Sequence, residues 1–475
     1  MRFLAAILTL MLVASCAKSP ITGKRELAIS EDKEIEMGKA YDPQIVASMG
    51  VYEDAGLQAL LDRAGMAMAK DSHRPNLDWH FRIVDSDVVN AFAVPGGYVY
   101  FTRGILAHFN NEAEFAGVLG HEIGHVTARH SAKQIRKQQL AQVGMVAGAI
   151  ASSAVRENFD AVNQGMQLLM LKYSRDAESE SDALGVEYST EQDYDAQYMA
   201  NFFKTIGRLR GEAGADVPSF LSTHPDPANR EVRVKQLATE WQAKLPGEEN
   251  KVNRDGYLAL LEGLVYGEDP KQGFVENGKF YHPVLKFQFD VPQGWRLANS
   301  PQQVQMGAPA GDAVVSFTLA QGSSPQQAAT AWLQQNQLQA QRSGATTING
   351  FPAYVVEGVT PPSQQQQQLS FVATFIQDGS NMYNFTGITL AASARKYART
   401  LAAPAASYAK LTDQRLLNRQ PERIRIATVP SATTLSSFLT SQGIASARHN
   451  EFAILNGMEL NAQLRAGKKI KVLQR

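Results

Sequence analysis

Apolar positions follow two different periods along this chain, and the change of period divides it. From Ile29 to about Leu245 the spacing is mainly helical. Leu57, Leu60, Leu61, Ala64 and Met66 recur within Gly56 to Lys70, and Ile29 to Met49 has the same spacing, so two helices are predicted there. Leu77 to Val84 alternates as a strand. Val88 to Val94 and Tyr98 to Thr102 flank Pro95-Gly96-Gly97, which predicts two strands around a tight turn. Such an edge is either a plain structural hairpin or, beside a reactive centre, a surface for strand addition by an extended peptide. Asn111 with Glu114 forms a capping pair that opens a helix expected to reach about Lys137, with Phe115, Val118, Leu119, Ile123 and Val126 buried. Leu140 to Val155 is uncharged and rich in Ala and Gly, but its sixteen residues are interrupted by Gln142. It falls short of the roughly 20 that cross a bilayer, so a packed helix or a lipid-touching surface is expected. Met166 to Tyr173 resumes an apolar helix.

Beyond the charged connection Gly247 to Gln272, the period shortens to two. Leu285 to Pro292 alternates apolar and polar, and strand-like stretches follow at Ala313 to Leu319, Ala353 to Val359, Leu369 to Ile376 and Asn381 to Ile388. Pro325 to Leu338 and Ala391 to Tyr408 fit helices, the second broken or kinked at Pro404. Gln364 to Gln368 is a polar low-complexity loop. In the last fifty residues, Arg423 to Ala427 reads as a strand, Thr433 to Leu439 as a helix, Phe452 to Gly457 as a second helix end, and Leu464 to Val472 as a closing strand. The fold class is therefore multidomain: a mainly α (α+β) domain over 16–265, a sheet packed against helices over 270–415, and a small βααβ domain over 422–475.

Composition adds limits. A chain of 475 residues with 44% apolar and 19% charged residues is ordinary globular protein. A formal net charge of zero argues against a nucleic-acid partner, and no glycine-rich phosphate loop is present. Met1-Arg2 and the apolar run Phe3 to Ala14 have the form of a signal peptide, expected over 1–15. It ends in Val13-Ala14-Ser15-Cys16, and Cys16 is the only cysteine. This resembles a bacterial lipobox, which implies lipid on Cys16; several acyl chains would make a stable anchor. Ala17 after that cysteine implies sorting to the outer membrane, on its periplasmic side. No disulfide can then form within the mature chain.

The chemistry is concentrated in His121-Glu122-Ile123-Gly124-His125. On a helix, residues four apart lie about 40° apart around the axis, so both imidazoles face one ion while Glu122 stands one step round. In H-E-x-x-H the imidazoles hold Zn²⁺ and the glutamate is the general base. A catalytic zinc wants a third protein ligand and an open position. A histidine six residues after His125 is excluded, because Ser131 stands there and Ala128 replaces the glycine of that pattern. His130 points about 140° away on a continuous helix and reads as structural or surface. A later helix offers Glu178 and Asp182, four apart on one face: one can bind metal while the other accepts an imidazole N–H. Glu180 points elsewhere.

Taken together, His121-Glu122-x-x-His125, Ser174-Arg175 with Glu178-x-x-x-Asp182, and Thr223-His224-Pro225 with Arg230 resemble the zinc metalloprotease family of the CaaX prenyl endopeptidases, HtpX and BepA, over about Ile29 to Leu245. The resemblance implies a gluzincin-like fold and one Zn²⁺ on His121, His125 and Glu178. It also implies Glu122 as base, Asp182 beside a metal-bound imidazole, and His224 and Arg230 near the reacting groups. His224 would either steady the oxyanion or bind zinc and block the water site. The middle domain resembles PsbP-like domains. The last one resembles a LysM module, which implies peptidoglycan-type glycan as its ligand. The expected function is zinc-dependent cleavage of misfolded or stalled envelope proteins. The rival reading is a non-catalytic envelope lipoprotein that binds peptidoglycan or outer-membrane proteins.

Overall fold

A computed structural model describes residues 16–146, 173–209, 219–224, 227–245, 250–361 and 367–474. The expected leader, most of the apolar stretch from 140 to 155, the helix expected from 166 to 172 and residues 364–366 of the glutamine run lie outside them. The chain divides into two compact units: Met1–Gly267 with Glu422–Arg475, and Glu268–Pro421. Among the described residues no helix is long and apolar enough to cross a membrane.

In the first unit, β1 (Cys16–Lys18) and β2 (Arg25–Leu27) form an antiparallel pair ahead of helices α1 (Glu31–Met49) and α2 (Ala55–Asp71). Both helices begin on a side-chain cap: the Ser30 hydroxyl accepts from Lys33 N–H, and the Asp54 carboxylate from Gly56 and Leu57 N–H. These caps satisfy donors that the first turn leaves without an intrahelical partner. Leu57, Leu60, Leu61, Ala64 and Met68 are buried, whereas Met66, which the apolar pattern grouped with them, is exposed. It lies two residues from Ala64 and so faces away.

Strand β3 (His80–Val84) runs parallel to β5 (Tyr98–Thr102), and β4 (Ala91–Val94) pairs antiparallel to β5. The order β3-β5-β4 leaves β4 at the edge. After α3 (Arg103–His108) comes α4 (Glu112–Thr127), buried at every position. Asn111 caps it by accepting from Glu114 N–H at 2.8 Å, while the Glu114 carboxylate accepts from Asn110 N–H at 2.8 Å. The helix stops ten residues before Lys137, because Arg129 is left-handed with φ 60° and a new helix, α5 (His130–Val146), starts after it. Then follow α6 (Arg175–Thr190), α7 (Gln197–Leu209), α8 (Ser219–Thr223), α9 (Pro227–Lys244), α10 (Arg254–Leu260) and β6 (Val265–Tyr266). Helices α4 and α6 cross where neither has a side chain: a Cβ on Gly120 would lie 2.8 Å from Gly185 O, and one on Gly185 2.8 Å from His121 N.

The second unit is mostly antiparallel sheet. Four strands, β7 (Phe274–Glu276), β8 (Lys279–His282), β9 (Phe287–Asp290) and β17 (Ala409–Lys410), form one layer. The other has seven: β10 (Arg296–Asn299), β11 (Gln303–Gly307), β12 (Ala313–Ala320), β13 (Arg342–Ile348), β14 (Phe351–Val359), β15 (Leu369–Asp378) and β16 (Asn381–Leu390). Two helices, α11 (Pro325–Gln335) and α12 (Ala394–Ala406), pack on it. Strands β10, β11 and β13 were not expected: β10 and β13 are largely exposed, and β11 alternates but offers only Val304 and Met306 as its apolar signal. Helix α12 runs through Pro404; the residue lies in the last turn, where the hydrogen bond it forfeits affects only the helix end.

The last segment has the expected order of elements: β18 (Glu422–Thr428), β19 (Thr433–Thr434), α13 (Leu435–Ser441), α14 (His449–Leu455), β20 (Gln463–Leu464) and β21 (Lys469–Gln474). It is not set apart as its own body. β18 pairs with β6 as well as β21, and Ile424, Phe438, Leu439, Phe452 and Val472 share one apolar core with Phe109, Phe115 and Phe202. Lys471 is fully buried and its Nζ donates to Ala107 O at 2.8 Å and Phe109 O at 2.9 Å, just ahead of α4. Contacts between residues more than 350 positions apart leave no local signature, so the segment read as independent.

Candidate active site

Four elements meet around one point. Helix α4 presents His121, Glu122 and His125, and α6 presents Glu178 and Asp182 from its first two turns. His224 follows α8 directly; the short helix ends there because Pro225 disfavours helical backbone in the residue before it. Arg230 comes from the first turn of α9. All seven side chains are buried.

His121 Nε2 lies 2.9 Å from His125 Nε2 and 3.2 Å from His224 Nδ1. Glu178 Oε1 lies 3.0 Å from His224 Nδ1 and 3.5 Å from His125 Nε2. Ligand atoms of these four residues all fall within 4.8 Å of one another. Behind them, Asp182 Oδ1 is 3.0 Å from His121 Nδ1, and Arg230 donates to Asp182 through Nε at 2.9 Å and Nη2 at 2.6 Å. Arg230 Nη1 also approaches Glu178 Oε2 at 3.0 Å, off the hydrogen-bond direction. The rings are braced by stacking: Tyr173 on His125 with centroids 4.0 Å apart, Phe220 on His224 at 4.5 Å. Phe220 N–H donates to Val89 O at 3.1 Å, so the segment bearing His224 is fastened to backbone just upstream of the edge strand β4.

Burial raises the Glu122 pKa, against the pull of His224 and His121, and neither of its carboxylate oxygens has a hydrogen-bond partner. His224 Nε2 lies 3.6 Å from its Oε1, and a buried acid that accepts no hydrogen bond is a base held ready. Burial would also raise Glu178 and Asp182, but His224 and Arg230 outweigh it and hold both below the ordinary range. Ionised Asp182 only accepts, so His121 donates to it from Nδ1, and in the neutral ring Nε2 is then the lone pair. That lone pair faces a second imidazole nitrogen at 2.9 Å, beside a carboxylate oxygen, Glu178 Oε2, that lacks a hydrogen-bond partner. Lone pairs that converge in this way repel one another until a cation stands among them. Three imidazole nitrogens and one carboxylate are a donor set that suits zinc.

Two expectations change. Arg230 was expected near the reacting groups; its guanidinium is committed to Asp182 and Glu178 and stacks over Phe203 at 4.1 Å, so it braces the ligands. His130 is not at the surface. Its Nδ1 is 2.9 Å from His125 Nδ1, and its Nε2 is 3.0 Å from Glu180 Oε2, so Glu180 also turns toward the site. The 140° estimate assumed a continuous helix, and the left-handed Arg129 interrupts it.

A buried helix bearing paired imidazoles and a free glutamate, faced by a carboxylate from a second helix, defines a metallopeptidase domain. Residues 56–238 match Peptidase family M48, so this segment is similar to that family of metallopeptidases. It is 30% identical over 238 residues to the mitochondrial metalloendopeptidase OMA1 of Arabidopsis thaliana, covering 50% of this chain and 46% of that one. It is 30% identical over 222 residues to the beta-barrel assembly-enhancing protease of Yersinia pestis, covering 45% and 46%. The protein of that name from Escherichia coli (strain K12) is 28% identical over 249 residues, covering 50% and 49%. The chain thus spans about half the length of these relatives.

Proposed function

We propose that this chain is a zinc-dependent endopeptidase of the bacterial envelope, acting on misfolded or stalled envelope proteins and anchored through lipid on Cys16 to the periplasmic face of the outer membrane. The observation that carries the catalytic part is the pairing of Glu122, whose oxygens accept no hydrogen bond, with the donor set of His121, His125, Glu178 and His224. The envelope part is supported by the signal-like N-terminus and by the names of the beta-barrel assembly-enhancing relatives.

His121, His125 and Glu178 would hold one zinc ion, which when bound would supply Lewis-acid activation of water and of the scissile carbonyl. Glu122 takes the proton of the attacking water and passes it to the leaving amine. Asp182, pinned by Arg230, fixes His121 with its Nδ1 protonated and its Nε2 facing the ion. His224 lies within the donor set, so it would be available as a fourth ligand at the position that water needs. Turnover would then require the His224 segment, which is fastened to Val89 just upstream of β4, to shift, and an extended peptide could add at the β4 edge.

Digestion of casein by the purified chain, with metal content measured before and after chelation, tests the assignment. Cleavage lost with the zinc and regained on its return is expected. A zinc-free chain, or cleavage indifferent to chelator, would leave only a scaffold.

A further inference from the structure

The two imidazoles on α4 are supported from behind in different ways. His121 leans on the Asp182 carboxylate directly. His125 has no carboxylate at its back; it has His130, and beyond His130, Glu180. We propose that His130 and Glu180 are positioning residues for the metal ligand His125, acting in series: Glu180 orients His130, and His130 orients His125.

The order follows from proton placement. His125 Nε2 faces His121 and Glu178, so its proton sits on Nδ1 and must be donated to His130 Nδ1, 2.9 Å away. Having accepted there, His130 carries its own proton on Nε2 and donates it to Glu180 Oε2 at 3.0 Å. One arrangement of protons satisfies every member of the row, and it leaves His125 Nε2 bare for the ion. Ser181 Oγ, 3.5 Å from His130 Nδ1, is the other polar neighbour on that side.

Backbone geometry makes the row possible. Ala128 closes α4, and Arg129 takes a left-handed conformation that only a minority of non-glycine residues adopt. It is held there by an ion pair to buried Glu34 of α1 and by Nη2 donating to Ile29 O at 2.6 Å. The reversal carries His130 back under His125 instead of to the far side of a continuing helix. Removing such an outer partner of a metal ligand typically costs roughly 10- to 100-fold in metal affinity.

The inference rests on the zinc reading above, and the test separates the two. Zinc affinity is measured on the full chain by competition with a chromophoric chelator, for the parent, His130→Ala, Glu180→Ala and the double variant, with thermal unfolding of each metal-free form as the control for folding. If the parent binds no zinc, the metal reading fails and this inference goes with it. If the parent binds, His130→Ala is expected to weaken binding by roughly 10- to 100-fold. Glu180→Ala should weaken it less, and the double variant should match His130→Ala, because a serial support has nothing left to lose once its middle is gone. His130→Ala within twofold of the parent, or Glu180→Ala retaining its full separate effect in the double variant, overturns the inference. If His130→Ala does not fold, Glu180→Ala decides alone: its side chain is one-third exposed, and parent-like affinity there is a refutation.

Discussion

The two units bury different things. Around α4 the first unit encloses charge: Glu34 between Arg74 and Arg129, Lys471 against backbone carbonyls, and the cluster of His121, His125, Glu178, Asp182, His224 and Arg230. The second unit encloses rings. Phe287 and Phe289 from one sheet meet Phe317 from the other at 5.0 and 5.2 Å, and Asp378 is the only buried carboxylate or basic side chain there among the described residues. Buried ion pairs contribute little net stability against well-packed apolar groups, yet losing one partner is costly. Charge has therefore been kept where the chemistry needs it, and the apolar unit shows what the chain builds without that requirement.

The comparison breaks most visibly at Glu122. Glu122→Gln should lower peptide cleavage by roughly 10²- to 10⁴-fold, the usual share of a general base, while zinc content stays at the parent's level. Its unfolding temperature should not fall, since the carboxylate removed has no hydrogen-bond partner; an undiminished rate removes Glu122 from the mechanism. Next come two substitutions of similar expected cost and opposite location. Arg230→Ala strands Asp182 and Glu178 and should cost about 3–5 kcal/mol with loss of zinc. Phe289→Ala should cost about 3–5 kcal/mol in the second unit and leave casein cleavage intact. Hydrogen exchange resolved by unit distinguishes them.

Two of the lone histidines sharpen the contrast through pH. Burial pushes His108 down to about 4 despite its hydrogen bond to Gly104 O, and His282 down to about 4. A folded-state value below the unfolded 6.5 means stability present above pH 6.5 and lost as pH falls toward 4. For His108 the loss is at most about 3 kcal/mol. His108→Gln should flatten that slope in the first unit and His282→Gln in the second; equal slopes in parent and variant would discard the assignment. Last, His224→Ala should raise cleavage by opening the fourth position, by about tenfold for each 1.4 kcal/mol that favours the closed arrangement in the parent. A fall in rate would make His224 an oxyanion contact.

How much of this could be read from residues alone depended on distance along the chain. His121, Glu122 and His125, and the four-residue step from Glu178 to Asp182, were legible because helical periodicity decides which side chains converge. The capping pair at Asn111 and Glu114 was legible for the same local reason. His130 is structural, one of the two roles expected of it, but its direction was misjudged because its place depends on one left-handed residue, and an arginine there carries no signal of it; the buried Glu34 that pairs with that arginine lies 95 residues upstream. The last segment was misjudged as separate because its burial depends on Phe109, Phe202 and β6, none of them near it in sequence. Local rules located the chemistry, and long-range packing decided what braces it.

The crossing of α4 and α6 has a consequence of its own. Because Gly120 and Gly185 touch through backbone, the gap between Glu178 and the imidazoles is set by atoms that are missing. Such a gap cannot be tuned in small steps, since the least bulky replacement already adds a methyl group and pries the helices apart. A misplacement of about 1 Å can cost a reaction about 10²-fold. The separation of the two rods that carry the cluster is thus fixed by the absence of two side chains and admits no gradual adjustment.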